Sequence, residues 1–243
     1  MPQSTFTDGW RGRIGLVATA PGNSTEAEFN RYRPDGVAIL TTRTPLISST
    51  VEGIRQMNTY IEDAALMLAQ NSYCDVVLLS STAGSFVEGP AYDEEQSQRL
   101  SKLTGKKVIT SCQCMLKALS VIHASSVTLI SPSSPELNEA EKNYLFKCGI
   151  KVSAENGFLL DDPRDILCIS PEDVYALVRA TDSPASEAVL ISCSGLHVMP
   201  IIEALERDLG KPVLTSNQFG LWGALQTLGI KERLTGIGSL FGY

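Results

Sequence analysis

Among the six cysteines and two histidines of this chain, one thiol stands where a thiol can do chemistry. Cys193 closes an apolar run, Val189-Leu-Ile-Ser192, and is followed by Ser194-Gly195. Backbone N–H groups in such a turn are placed to lower a thiol pKa from its usual value of about 8.5. A thiol so placed delivers or removes a proton at carbon; without a partner it is a small buried hydrophobe. His197 comes four residues later and reaches Cys193 only if that stretch is helical. Cys112 and Cys114 also follow a strand end, but nothing pairs them with a base. Cys74, Cys148 and Cys168 sit at element edges and read as packing residues. Cys112 and Cys114 lack Cys-x-x-Cys spacing, and with His123 and His197 the only histidines, no zinc site assembles. Neither a metal nor an organic cofactor is implied, and thiols scattered through a chain of this size fit the reduced state of a cytoplasm.

Around Cys193 the informative residues are small and hydroxylic. Asn23-Ser24-Thr25, Ser80-Ser81-Thr82, Ser131 with Ser133-Ser134, Ser192-Cys193-Ser194 and Thr215-Ser216-Asn217 all follow apolar runs. Singly, each is ordinary turn and cap chemistry. Converging, they offer many hydrogen-bond donors and little charge, which suits a carboxylate or the enediolate formed when a carboxylate-bearing carbon loses a substituent.

The elements that must position these residues follow from the pattern. Strands are expected at 13–19, 37–43, 75–80, 107–111, 126–132, 150–154, 187–192 and 212–216. Their apolarity is continuous rather than alternating, as in parallel strands covered on both faces by helices. Ser49-Thr50-Val51-Glu52 reads as a capping box opening a helix to about Gln70. Ser134-Pro135 and Ser170-Pro171 place a cap before a first-turn proline. Alternation of strand and helix makes this an α/β fold, and ligands of such sheets bind beyond the strand C-termini.

The chain also repeats itself. Gly105-Lys-Lys-Val-Ile-Thr-Ser111 returns as Gly210-Lys-Pro-Val-Leu-Thr-Ser216, Val77-Leu-Leu-Ser-Ser-Thr82 as Val189-Leu-Ile-Ser-Cys-Ser194, and Ile14-Gly-Leu-Val-Ala-Thr19 as Val127-Thr-Leu-Ile-Ser-Pro132. Three matches in one order indicate two copies of a four-stranded unit. The expected division is 1–113 plus 217–243 for the first domain and 114–216 for the second, with the last helix packing back on the first. The counterpart of Cys193 is Ser81, so a cleft between the copies has a thiol on one side and a hydroxyl opposite. Serine is a far poorer acid or base without an activating partner.

Composition narrows the partners. The formal net charge is −7 and no Lys/Arg run exceeds two residues, which argues against nucleic acid or an anionic membrane surface. The N-terminal MPQSTFTDGWRGR lacks the apolar core of a signal peptide, and no apolar run has the length of a membrane span. A small anionic substrate remains open, since helix N-termini and hydroxyls hold one without a basic patch.

Taken together, RIGLV with Asn23 near the start, SSTAGSF at 80–86, ISCSG at 191–195 and PVLTSNQ at 212–218 resemble the aspartate/glutamate racemase superfamily. The similarity is greatest to the branch holding arylmalonate decarboxylase and maleate cis-trans isomerase. It implies two Rossmann-like four-stranded parallel-sheet domains related by a pseudo-twofold, with the site in the cleft between them. Residue by residue, it makes Cys193 the proton-delivering cysteine and Thr82 a binder of the carboxylate as it becomes an enediolate. The N–H groups of Cys193 and Ser194, beside Gly195, become oxyanion donors, and Asn23 contacts a substrate carboxylate. Three positions depart from the family pattern: Ser81 replaces its first-half cysteine, Ala83 a serine and Ser133 a tyrosine. The last two losses remove donors.

Racemisation needs acids on both faces of the carbon, and the isomerase branch uses the first-half cysteine as nucleophile. One-sided protonation after loss of CO₂ needs only Cys193. The expectation is a cofactor-independent decarboxylase of a malonate-like dicarboxylic acid, acting on a small-molecule carboxylate. The alternatives are a maleate-type cis-trans isomerase or related racemase or lyase, and an inactive paralogue that binds a small carboxylate. A monomer and a homo-oligomer are both left open.

Overall fold

The computed structural model describes residues 6–243; the first five residues of the polar N-terminal segment lie outside them. The described residues form eight strands: β1 Gly12–Thr19, β2 Val37–Thr44, β3 Val76–Ser80, β4 Lys107–Thr110, β5 Ser126–Ser133, β6 Lys151–Leu160, β7 Ala188–Ile191 and β8 Val213–Thr215. All pairings are parallel, in two sheets ordered β2-β1-β3-β4 and β6-β5-β7-β8. The second order is the first repeated, as the internal sequence matches require. The inner strands β1, β3 and β7 are buried along their whole length, which is why they read as unbroken apolar runs.

Paired features outside the strands carry the same duplication. The helices Pro90–Thr104 and Ile202–Leu209 both end on a left-handed glycine, Gly105 (φ 68°) and Gly210 (φ 67°), a conformation that costs a residue with a Cβ far more. Both sheets then finish in a capping box. Thr110 with Gln113 opens the helix Ser111–Val121, and Thr215 with Gln218 opens the helix Ser216–Thr227. The caps at Ser134 and Ser170 form as the sequence indicates, each ahead of a proline at the helix start.

Three details depart from the sequence reading. Ser49-Thr50-Val51-Glu52 makes no capping box: Thr50 is the cap and accepts from Gly53 N, because the Ser49 N–H is spent on the Asp161 carbonyl at 2.9 Å. The helix it opens is not one piece but Val51–Asn58, Ile61–Leu66 and a π turn at Met67–Asn71. Strand β6 runs to Leu160, six residues past the expected end, because it is an edge strand paired to β5 through two register shifts and so mixes polar and apolar residues.

One apolar core joins both sheets. At its centre the helix Ser216–Thr227 packs on β3 and on the helix Ser111–Val121, with Ser216 to Leu225 all buried. That approach needs glycine at 223, where a Cβ would collide with Cys114 Sγ. Burying Phe219 and Leu221 there contributes roughly 1.5–3 kcal/mol each. Residues 113 and 114 fall inside the helix Ser111–Val121. Among the described residues, no helix is long and apolar enough to cross a membrane.

Candidate active site

The two halves turn differently after their third strands. Following β3, Ser81 stays extended and its Oγ accepts the Gly84 N–H at 3.1 Å, capping the short helix Thr82–Phe86. After β7 no helix forms until Met199. Cys193 Sγ there accepts the Gly195 N–H at 3.3 Å, and the Cys193 carbonyl accepts from Leu196 N. Both turns spend a side chain near the strand end on a backbone donor. In one it is a hydroxyl and in the other a thiol.

Between these turns lies a small cavity of about 60 Å³, open at its mouth. Ser81, Thr82, Ala83, Ser133, Cys193, Ser194 and Gly195 all line it. Asn23 is not among the lining residues: it stands exposed at the start of the helix Asn23–Tyr32, next to Gly22, which does line the cavity. Apolar side chains make up much of the remaining lining: Leu46, Ile54, Phe86, Leu137, Ile166 and Leu167. Leu46, Ile166 and Leu167 come from segments that lie between the expected elements. Among the described residues, no acidic, basic or histidine side chain lines the cavity. The N–H groups of Thr82, Ala83, Cys193 and Ser194 have no acceptor among the described residues, so they are available to a ligand's oxygens.

Burial decides the state of the thiol. It pushes Cys193 up to about 11, with the Gly195 and Leu196 N–H groups pulling it back and Glu141 raising it further. The turn donors that the sequence predicts are therefore present, but desolvation outweighs them. At neutral pH the group is a thiol, suited to giving a proton rather than attacking as thiolate. His197 does not reach it, because the segment is not helical; its Nδ1 faces Glu28 at 3.3 Å.

Among the described residues, none of the other cysteines lines the cavity. Cys112 is fully buried and donates to the Thr82 carbonyl at 3.4 Å, beneath the site rather than in it. Asp93 sits beside it, buried, accepting from Ser85, from Thr110 Oγ1 at 3.0 Å and from Tyr144 OH at 3.3 Å. Through Ser85 this cluster pins the helix that carries Thr82.

Two buried glutamates were not legible in the sequence. Glu28 is pushed up to about 7 by burial, against the pull of Asn217 and the Met199 and Val198 N–H groups. Glu141 goes up to about 8, also by burial; the Ser192 hydroxyl lowers it slightly but lies outside hydrogen-bonding geometry. Both folded pKa values lie above the ordinary carboxylate value, so folding favours the protonated forms. Their contribution to stability is full below pH 4.5 and is lost as pH rises through about 7 and about 8. Urea unfolding should therefore show stability falling by roughly 2–3 kcal/mol per pH unit between pH 5 and 7, where both groups contribute. Glu141→Gln should flatten that slope by roughly half. An unchanged slope in the variant would refute the assignment.

With the geometry in place, comparison with known proteins is direct. A family model described as arylmalonate decarboxylase matches residues 19–241. The chain belongs to the arylmalonate decarboxylase family. The arylmalonate decarboxylase of Bordetella bronchiseptica is 27% identical over 232 residues, covering 94% of this chain and 95% of that one. The maleate isomerase of Nocardia farcinica is 26% identical over 238 residues, covering 94% of each. The solved structure of the Nocardia farcinica maleate cis-trans isomerase bound to TRIS gives a TM-score of 0.89 at 25% identity, covering 95% of this chain and 97% of that chain. The chain is thus an enzyme-family member with the two-sheet fold its motifs indicate. Arylmalonate decarboxylase-family membership leaves open which of the two reactions it runs, since its similarity to the two relatives is nearly equal.

Proposed function

We propose that this chain is a cofactor-independent decarboxylase of a malonate-like dicarboxylic acid that carries an apolar substituent, with Cys193 as the proton donor. The supporting observation is a protonated thiol on a cavity lined by hydroxyls, backbone N–H groups and apolar side chains, without a charged group among the described residues. One carboxylate would take the free N–H groups of Thr82, Ala83, Cys193 and Ser194 and the Thr82 hydroxyl. The other would face Leu46, Ile54 and Ile166, where nothing solvates its charge. Losing CO₂ removes that charge from the apolar side chains. The bonding pair of the broken C–C bond becomes the enediolate, held by the N–H donors. Cys193 Sγ–H then protonates the carbon, and the thiolate takes a proton back from water.

The isomerase reading is carried by the similarity to the Nocardia relative. The residues favour it less. Ser81 stands where the resemblance implies the isomerase nucleophile, its hydroxyl engaged as a helix cap, and Cys193 is held protonated. We also propose that residues 1–113 with 217–243 form one unit and residues 114–216 the other, with the cavity between them.

Proton NMR in D₂O with a panel of substituted malonates and maleate tests the choice. Loss of carboxyl with one deuterium placed on a single face is the expected result. Maleate converted to fumarate with no carboxyl loss would establish the isomerase instead. Thermal stabilisation by these acids without turnover would show an inactive carboxylate binder.

A further inference from the structure

The loop that presents Cys193 has no regular structure to hold it, and its geometry is imposed from elsewhere in the chain. Thr25 Oγ1 donates to the Ser194 carbonyl at 2.8 Å, and Asn217 Nδ2 donates to the same oxygen at 3.1 Å. Thr25 and Asn217 are each 1% exposed. The Asn217 amide is set in turn by Glu28, whose Oε2 accepts from Nδ2 at 2.6 Å. Glu28 Oε1 takes the Met199 N–H at 2.8 Å, tying down the far end of the same loop. Thr25 and Glu28 lie three residues apart on the helix Asn23–Tyr32, so they share the face that meets the loop.

A peptide unit is planar and trans, so its carbonyl and the next N–H point in opposite directions. Two donors hold the Ser194 carbonyl from one side. The Gly195 N–H of the same unit must then face the other way, and there Cys193 Sγ accepts it at 3.3 Å. We propose that Thr25 and Asn217, the latter oriented by Glu28, are positioning residues for Cys193: by holding the Ser194 carbonyl they aim the Gly195 N–H at the thiol. The proposal rests on Cys193 as proton donor for its catalytic consequence, but the geometry it describes can be read without any substrate.

Thr25→Val removes one donor at nearly constant shape, Thr25→Ser keeps the hydroxyl, and Asn217→Ala removes the other donor. The first readout is the rate at which iodoacetamide alkylates Cys193 at pH 9, followed on its own peptide by mass spectrometry with exposed Cys168 as internal reference. Losing the Gly195 N–H raises the thiol pKa, so alkylation of Cys193 in Thr25→Val should slow about tenfold. Thr25→Ser should stay within about twofold of the wild type. The second readout is turnover of the malonate identified by NMR, where Thr25→Val should lower kcat about tenfold with KM within about threefold.

Cys193 alkylation in Thr25→Val as fast as in the wild type, or faster, overturns the proposal. Should Asn217→Ala fail to fold, the Thr25 pair decides alone. A wild type that decarboxylates no malonate, with the alkylation difference intact, removes the decarboxylase reading and leaves the positioning role standing.

Discussion

Cys193→Ala is expected to lower decarboxylation by roughly a thousandfold while leaving the fold unchanged. Among the described residues, the thiol is the one titratable side chain on the cavity wall. Without it the enediolate still forms on the backbone donors, so the loss falls on protonation, which water must then supply. Two measurements check this together: steady-state CO₂ release, and the stereochemistry of deuterium in the product. The variant should be slow and should lose facial preference. Alanine takes less space than the thiol and leaves the Gly195 N–H without its acceptor, so melting should shift by only a few degrees. A variant with near wild-type turnover would end the proposed mechanism. Cys193→Ser is a useful companion, because serine keeps an acceptor for Gly195 and is a far weaker acid; it should be nearly as slow as alanine.

Thr82→Val should cost about a hundredfold in kcat, with a smaller change in KM. The hydroxyl sits at the start of the helix Thr82–Phe86, on the cavity lining, where the developing enediolate would lie. Valine has nearly the same shape, so the substitution removes the donor and little else. The effect is large because the position beside Thr82 supplies no donor side chain: Ala83 stands where the family resemblance implies a serine. Asp93, through Ser85, holds the helix, which keeps the hydroxyl fixed before charge develops. Single-turnover kinetics separate the two parameters. A rise in KM alone would mean that Thr82 binds substrate and transition state equally.

The alternation of strands and helices, the duplication, and the placing of Ser81 and Cys193 at matching strand ends could all be read from the chain alone. Runs such as Val76 to Ser80 and Ala188 to Ile191 carry their own signal, because a strand buried on both faces must be apolar throughout. Local chemistry also placed the caps at Ser134 and Ser170, where a hydroxyl and a proline are adjacent in sequence. It failed at Ser49, whose N–H is taken by Asp161, a residue more than a hundred positions away.

What the tertiary structure alone decided is everything that depends on which distant segments meet. Asn23 and Thr25 look alike as members of one polar triplet, yet the first is exposed and the second is buried on Ser194. Glu28 reads as an ordinary surface glutamate until residues from Val198 to Asn217 close over it. The sign of the Cys193 shift follows the same logic: its turn donors are local and visible in Ser194-Gly195, whereas the desolvation that outweighs them comes from walls assembled out of both halves. Backbone conformation and hydrogen bonding within a few residues are encoded by neighbours in sequence. Burial, and with it protonation state, is a property of the packed whole.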